Sequence, residues 1–175
     1  MALQAQTKRP EAASPELADL WRTLEAVVDP EIPVLTIADL GLLRDAEIGP
    51  EGAVTVTITP TYSGCPAMNM IESEIKRVLG EAGYATVAVK SVLHPAWTTD
   101  WLSEAGREKL RAYGIAPPET GSPSKKALFG AEPEVACPHC GSKETEQVSA
   151  FGSTACKALW RCRSCLEPFD YFKCI

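Results

Sequence analysis

The sequence predicts an α+β chain: a small three-stranded mixed sheet covered by helices, followed by a small β-rich ribbon built on four cysteines. Three observations predict it. Within residues 14–116 apolar residues recur at helical spacing, then in alternation, then at helical spacing again. A Pro/Gly/Ser-rich stretch, "PPETGSPSKKALFGAEPE", comes next. Six of the seven cysteines then fall within the last 39 residues. The expected organisation is a disordered tail over 1–13, a first domain over 14–116, a linker over 117–134 and a ribbon over 135–175.

The elements follow in order. Ser14 suits a helix cap, Pro15 a first helical turn, and Glu16 the positive end of the helix dipole. Leu17, Leu20, Trp21, Leu24 and Val28 share one helical face. "DPEIP" ends that helix, because a residue before proline avoids helical backbone angles. "RDAEI" and "AVTVTIT" flank the turn "GPEG", which predicts a hairpin. In the second strand Val54, Val56 and Ile58 face one way, and Thr55, Thr57 and Thr59 the other. Met68, Ile71, Ile75, Val78 and Leu79 mark a second helix, closed by Gly80 or Gly83, and "TVAVKSVL" is a third strand. A strand–helix–strand step of this length implies a right-handed parallel crossover. "HPAWTTDW" leads to a last helix from about Ser103 to Tyr113, stopped by Gly114. Trp97 and Trp101 read as core, and Thr98, Thr99 and Asp100 as residues able to cap the next turn.

Charge and composition narrow the function. The 175 residues carry a net charge of −6. Residues 14–116 hold 8 Lys/Arg against 15 Asp/Glu, and residues 135–175 hold 5 against 4. That is not the basic surface that phosphate-driven nucleic-acid binding needs. No apolar run has the length of a membrane span, and the N-terminus "MALQAQTKRPEAASP" lacks the apolar core of a secretory signal. The expectation is a cytoplasmic protein with no nucleic-acid or membrane partner. Its thiols are then reduced, so paired cysteines read as metal ligands or catalytic thiols before disulfides.

Cys137-x-x-Cys140 and Cys162-x-x-Cys165 form two knuckles separated by 21 residues. Between them, "TEQVSAFGSTACKALWR" can form a hairpin with Gly152 at its tip. A segment of about 40 residues buries too little apolar surface to fold unaided, and a metal supplies what is missing. A redox dithiol belongs where a strand meets a long helix and needs no second pair, so zinc on four thiolates is the stronger reading. The same sulfurs also suit iron or an iron–sulfur cluster. Cys156 and Cys174 read first as core thiols, with Cys156, beside Lys157, as a candidate additional thiol for exchange.

Outside the tail, Cys65 carries the most information. In "TPTYSGCPAMNM" it follows a strand and precedes a helix, and Pro66 suits the first helical position. The helix dipole and free N–H groups there favour a thiolate; the alternative is a buried cysteine chosen for its size. Asp39 in "IADLG" either faces Cys65 across the sheet end or bonds its own backbone as a turn-former. There is no Gly-rich phosphate loop, no Glu/His set for a di-iron centre, and, with two histidines, no credible Ser-His-Asp set. Independent catalysis is hard to build from these parts.

"DPEIPVLTIADLGLL", "ITPTYSGCPAM" and "VLHPAWTTDWLSEAGREKL" resemble the small domain shared by SufT-like and cytosolic iron–sulfur assembly proteins, from about Trp21 to Tyr113. That resemblance implies a reactive cysteine at Cys65 and an acidic loop position at Asp39. With "CPHCGS" and the following cysteine-rich segment, the chain resembles a narrower family, the PaaD (PaaJ) accessory proteins of bacterial phenylacetyl-CoA epoxidase systems. It implies a non-catalytic maturation role, assisting iron–sulfur or metal-centre assembly, with the reductase and oxygenase components as partners. The reductase [2Fe-2S] cluster is the first client and the di-iron centre the second. In the alternative reading the chain is a structural subunit that docks the reductase onto the oxygenase. The resemblance leaves the oligomeric state open, a homodimer included.

Overall fold

Ser14 opens the first helix: its Oγ accepts from the Leu17 N–H at 3.2 Å, and Pro15 stands in the first turn of α1 (Pro15–Glu25). The computed structural model describes residues 14–118 and 133–173. The expected tail over 1–13, most of the expected linker, and Cys174 lie outside the described residues.

Leu20, Trp21 and Leu24 are the buried face of α1. Val28, expected on that face, is 47% exposed. The helix ends at Glu25, and Val28 instead forms an isolated antiparallel bridge with Thr36 while Val27 turns inward. The "DPEIP" turn is held by its aspartate: Asp29 Oδ1 accepts from the backbone N–H groups of Glu31 (2.9 Å) and Ile32 (2.8 Å). Ile32, Leu35, Ile37, Leu40 and Leu42 of this long connection are all buried, so it forms part of the core.

Strand β1 (Leu43–Ile48) pairs antiparallel with β2 (Val54–Ile58), which pairs parallel with β3 (Val87–Ser91), in the order β1-β2-β3. Between β2 and β3 runs α2 (Ala67–Glu81), with Ala67, Ile71, Ile75 and Leu79 buried. The expected mixed sheet and parallel crossover are therefore present. Val54, Val56 and Ile58 are buried, while Thr55 and Thr57 are half-buried on the opposite face. Register shifts between Leu43 and Asp45, a β-bulge that lets Leu43 and Ala46 both face inward three residues apart.

The described residues divide into two compact units, the boundary falling between Trp97 and Thr98. The last helix, α3 (Glu104–Tyr113), therefore groups with the cysteine-rich segment, whereas residues 14–116 were expected to form one domain. The chemical reason is β4 (Ile115–Ala116), which pairs parallel with β7 (Pro168–Phe172). The second sheet has the order β4-β7-β6-β5, with β5 (Thr145–Ser149) and β6 (Lys157–Cys162) forming the expected hairpin. Thr98 stands at the cap position of the short 3-10 turn Thr99–Trp101 without a side-chain cap bond, and Ser103 caps α3, its Oγ accepting from the Gly106 N–H at 2.9 Å. Gly114 closes it at φ +87, a left-handed angle that glycine adopts without steric cost. Arg107 is 3% exposed and donates to the backbone carbonyls of Thr99 (2.8 Å) and Pro118, tying both ends of the α3 segment together.

Candidate metal centre and thiol site

Two places collect the chemistry. The first is built on the ribbon. Cys137 Sγ lies 3.7 Å from Cys165 Sγ, and Cys140 Sγ 3.6 Å from Cys162 Sγ, so the two knuckles meet at their sulfurs. All four sulfurs lie within 4.8 Å of one another. Four metal–sulfur bonds of about 2.3 Å in a tetrahedron put the sulfurs about 3.8 Å apart. The residues present therefore fit one ion. A multinuclear cluster, whose terminal sulfurs sit on different irons, would need the knuckles to separate.

The sulfurs are set into the ribbon core. Cys137 and Cys162 belong to a buried cluster with Ala116, Val135, Ala158, Trp160, Phe169 and Tyr171, and Cys165 packs against it. Trp160 and Tyr171 meet edge to face, with ring centroids 5.8 Å apart. Cys140 alone of the four is exposed. The Cys165 N–H, donating to the Cys162 sulfur at 3.5 Å, holds that thiol down at about 6. Cys165 is pushed up to about 12: the Glu167 N–H favours its thiolate, but burial and the neighbouring thiols outweigh it. Cys140 is also raised, burial and two of its neighbouring thiols prevailing over the Ser142 N–H. Four sulfurs this close cannot all ionise without a cation between them, which is the charge a divalent ion supplies.

The second place is one end of the three-stranded sheet. Leu43 at the start of β1 and Ser91 at the end of β3 both pair with Ile58 at the end of β2. That register gathers the loop before β1, the loop from β2 to α2 and the loop after β3 at one end, outside the carboxyl ends of the two parallel strands. In open α/β sheets that is where ligands bind. Trp97, 5% exposed, donates its indole N–H to the Leu40 carbonyl at 2.8 Å and pins two of these loops together.

Cys65 lies in the middle loop, half-buried, two residues before α2 begins at Ala67, with Pro66 at the cap position. Its N–H donates to the Tyr62 carbonyl and its own carbonyl accepts from the Met68 N–H, both at 3.3 Å. The residue thus stands at the positive end of a 15-residue helix. Thr59, between β2 and this loop, is 1% exposed, and its Oγ1 has no hydrogen-bond partner among the described residues. Met70 (61% exposed) in the first turn of α2 and Leu93 (62%) after β3 give this end an apolar rim.

Asp39 lies in the loop before β1 and is 8% exposed. Its Oδ2 accepts from both the N–H and the Oγ1 of Thr36 at 3.0 Å, while its own N–H donates to Thr36 Oγ1 at 3.1 Å. One carboxylate oxygen is therefore engaged in shaping the turn. Cys156, considered as an additional thiol for exchange, is 6% exposed, with Thr154 Oγ1 3.0 Å from its sulfur. An accessible thiolate there is not what the fold contains. Lys157, expected to favour it, is buried and faces Asp170, Nζ to Oδ2 3.5 Å. Cys156 thus takes the first of its two sequence readings, a core thiol, whereas a solitary polar residue inside a regular element carries no local signal of its face, and the buried Arg107 could not be placed from sequence.

Comparison with known proteins agrees with both halves. Residues 17–91 match a family described as an iron–sulfur cluster assembly protein, and residues 121–173 match the PaaD zinc beta ribbon domain. An Escherichia coli (strain K12) protein named as a 1,2-phenylacetyl-CoA epoxidase subunit is 51% identical over 163 residues, 93% of this chain and 96% of that protein. A Porphyromonas gingivalis Fe-S protein maturation auxiliary factor is 39% identical over 93 residues, 53% of this chain and 88% of its own. Its Bacillus subtilis counterpart YitW is 38% identical over 93 residues, 53% of this chain and 90% of its own. No helix among the described residues is long and apolar enough to cross a membrane. An assembly-type domain and a four-cysteine ribbon joined in one chain, alike along nearly its whole length to the Escherichia coli protein, identify it: the chain belongs to the PaaD family of phenylacetyl-CoA epoxidase subunits.

Proposed function

We propose that this chain is a non-catalytic, cytoplasmic maturation factor for the phenylacetyl-CoA epoxidase, assisting assembly of an iron–sulfur cluster whose client is the reductase component. The observation that carries the reading is the position of Cys65, at the start of α2 and at the loop-lined end of the sheet, in a domain matched by iron–sulfur assembly proteins. Cys65 stands at the start of α2 and is not sealed in the core. It can hold an iron edge of the cargo and give it up by ligand exchange, thiolate for thiolate, with no change of oxidation state. Asp39, with one oxygen held by Thr36, serves as the orienting or ligating carboxylate on the neighbouring loop.

The ribbon has the opposite character. Cys137, Cys140, Cys162 and Cys165 hold a resident zinc. Its closed set of four sulfurs, three of them buried or half-buried, suits a structural ion and leaves no open position for chemistry. Iron in the same sulfurs is the second choice.

The test is made in cells growing on phenylacetate. Cys65→Ser should leave the protein folded and at normal abundance, while iron and labile sulfide in the isolated reductase fall several-fold. Unchanged cluster occupancy with the variant as sole copy would remove Cys65 from the account. The relative's designation as a subunit favours a second reading, in which the chain docks the reductase onto the oxygenase. That reading requires fixed-stoichiometry co-purification with the active enzyme, and a loss of activity when the chain is removed after maturation.

A further inference from the structure

The six described cysteines differ in what reaches them. Cys137, Cys156 and Cys162 are buried, Cys65 and Cys165 are half-buried, and Cys140 alone is exposed. Within the ribbon, Cys137 and Cys162 are members of the apolar cluster and Cys165 packs against it. An oxidant dissolved in water therefore meets the four-sulfur set at Cys140 first. Exposure sets how fast a thiol is oxidised. A second thiol within reach decides whether the reaction stops at a disulfide or runs on to irreversible acids.

That second thiol is in place. Cys140 Sγ lies 3.6 Å from the sulfur of Cys162, which ends β6 and is 0% exposed. Cys162 is thus closed to reactants from outside and open to Cys140. A disulfide is about 2 Å long, so an approach of about 1.5 Å joins the two sulfurs. The knuckles are also braced by bonds that involve no sulfur. Ser142, two residues after Cys140, has its Oγ 2.8 Å from that of Ser164, two residues after Cys162. Ser164 Oγ donates to Glu144 Oε2 at 3.2 Å, and the Arg163 N–H donates to the Glu144 carbonyl at 2.7 Å. In the first knuckle the Gly141 N–H donates to the Cys137 carbonyl and the Cys137 N–H to the Ser142 carbonyl, both at 2.9 Å. These bonds keep Cys140 opposite Cys162 while the ligand set changes.

We propose that Cys140 and Cys162 form a redox switch in the ribbon, closed to a disulfide by hydroperoxides, reopened by dithiols, and read out as release of the ion. The proposal rests on the reading above that the ribbon holds a resident zinc. The Cys140 sulfur attacks one oxygen of hydrogen peroxide; a sulfur–oxygen bond forms, the oxygen–oxygen bond breaks and hydroxide leaves. The Cys162 sulfur then attacks that of Cys140; a sulfur–sulfur bond forms and a second hydroxide leaves. Each thiolate has given up one electron, and the peroxide has become two hydroxides, which protonate to water. The set has lost two of its four donors, and Cys137 and Cys165 alone do not make a structural site. A dithiol reverses the change by exchange and ends as its own disulfide.

The experiment uses the full-length protein, its zinc content measured first, with hydrogen peroxide as the oxidant. Zinc release is followed with a chromogenic chelator, and the state of each cysteine is mapped by mass spectrometry. Wild type should release about one zinc per chain in step with a Cys140–Cys162 disulfide, and a dithiol with added zinc should restore the loaded state. Cys140→His exchanges the exposed sulfur for a nitrogen ligand, and its zinc should be released about tenfold more slowly. If that variant does not hold the ion, the wild-type disulfide map decides alone. Release paired with a Cys137–Cys165 bond while Cys140 stays reduced overturns the switch. Zinc retained after Cys65 is fully oxidised overturns it too, as does Cys140 driven straight to sulfinic acid, which dithiols do not reverse. Each of these leaves the zinc reading standing. Protein that carries no zinc before oxidant is added contradicts the resident ion and the switch together.

Discussion

Asp29 shows how a motif that looks functional works as structure. Its carboxylate accepts two backbone N–H groups, from Glu31 and Ile32, in a turn whose next residues enter the core. Asp29→Ala leaves both donors without that acceptor. The expected loss is about 1–3 kcal/mol of stability, read as a lower denaturation midpoint with no change in metal content. An unchanged midpoint would mean that water replaces the carboxylate at no cost. The neighbouring Asp39 repeats the pattern with Thr36, so two acidic positions of the "DPE" and "DLG" stretches stabilise their own loops. For Asp39 the sequence offered this turn-forming bond as one of two readings; for Asp29 it offered only the helix stop that the following proline imposes. It also placed Cys65 correctly at a helix start, because the proline after it marks the boundary. Cys156 is buried, as its first reading as a core thiol had it, but the burial of Arg107 was not legible, since burial depends on which distant surface arrives to cover a side chain.

At the scale of elements, what was legible was what is periodic. The first hairpin, the crossover helix, the mixed three-stranded sheet and the β5–β6 hairpin all follow from spacing and turn residues. Two features did not. The bulge at the start of β1 is invisible to alternation, because an extra residue in one strand has meaning only against its partner. Strand β4 is two residues long, too short to carry a period, and it assigns α3 to the second unit. Gly114 is the hinge of that assignment. It stands at φ +87 between α3 and β4, and a Cβ added there would lie 3.3 Å from the His139 ring. Gly114→Ala should therefore destabilise the second unit by about 1–2 kcal/mol through the backbone angle alone, with the His139 contact adding to it. Calorimetry or chemical denaturation of the variant checks this. A midpoint equal to wild type would show that the turn can rearrange without cost.

For the whole molecule, the two units differ in what holds them together. The first has an apolar core running from Leu20 through Leu79. The second has a smaller cluster in which two of the four sulfurs are themselves core residues. Removing an ion from such a site takes away part of the folding free energy. Chelation should therefore abolish amide protection in β5, β6 and β7, and also in β4 and α3, while β1, β2, β3 and α2 keep theirs. Hydrogen exchange resolved by segment checks this. Protection of α3 that survives chelation would return that helix to the first domain, as the sequence had suggested. A global loss would make the two units one cooperative system.

The most direct measurement is the zinc, iron and labile sulfide content per chain of protein purified without oxygen, for wild type, Cys65→Ser and Cys140→Ser. A resident ion in the ribbon and a transfer thiol on the first domain predict about one zinc per chain in wild type and Cys65→Ser, with no matching sulfide, and loss of that zinc in Cys140→Ser. Iron with stoichiometric sulfide that disappears in Cys140→Ser would contradict this division of labour, because the ribbon itself would then carry the cluster.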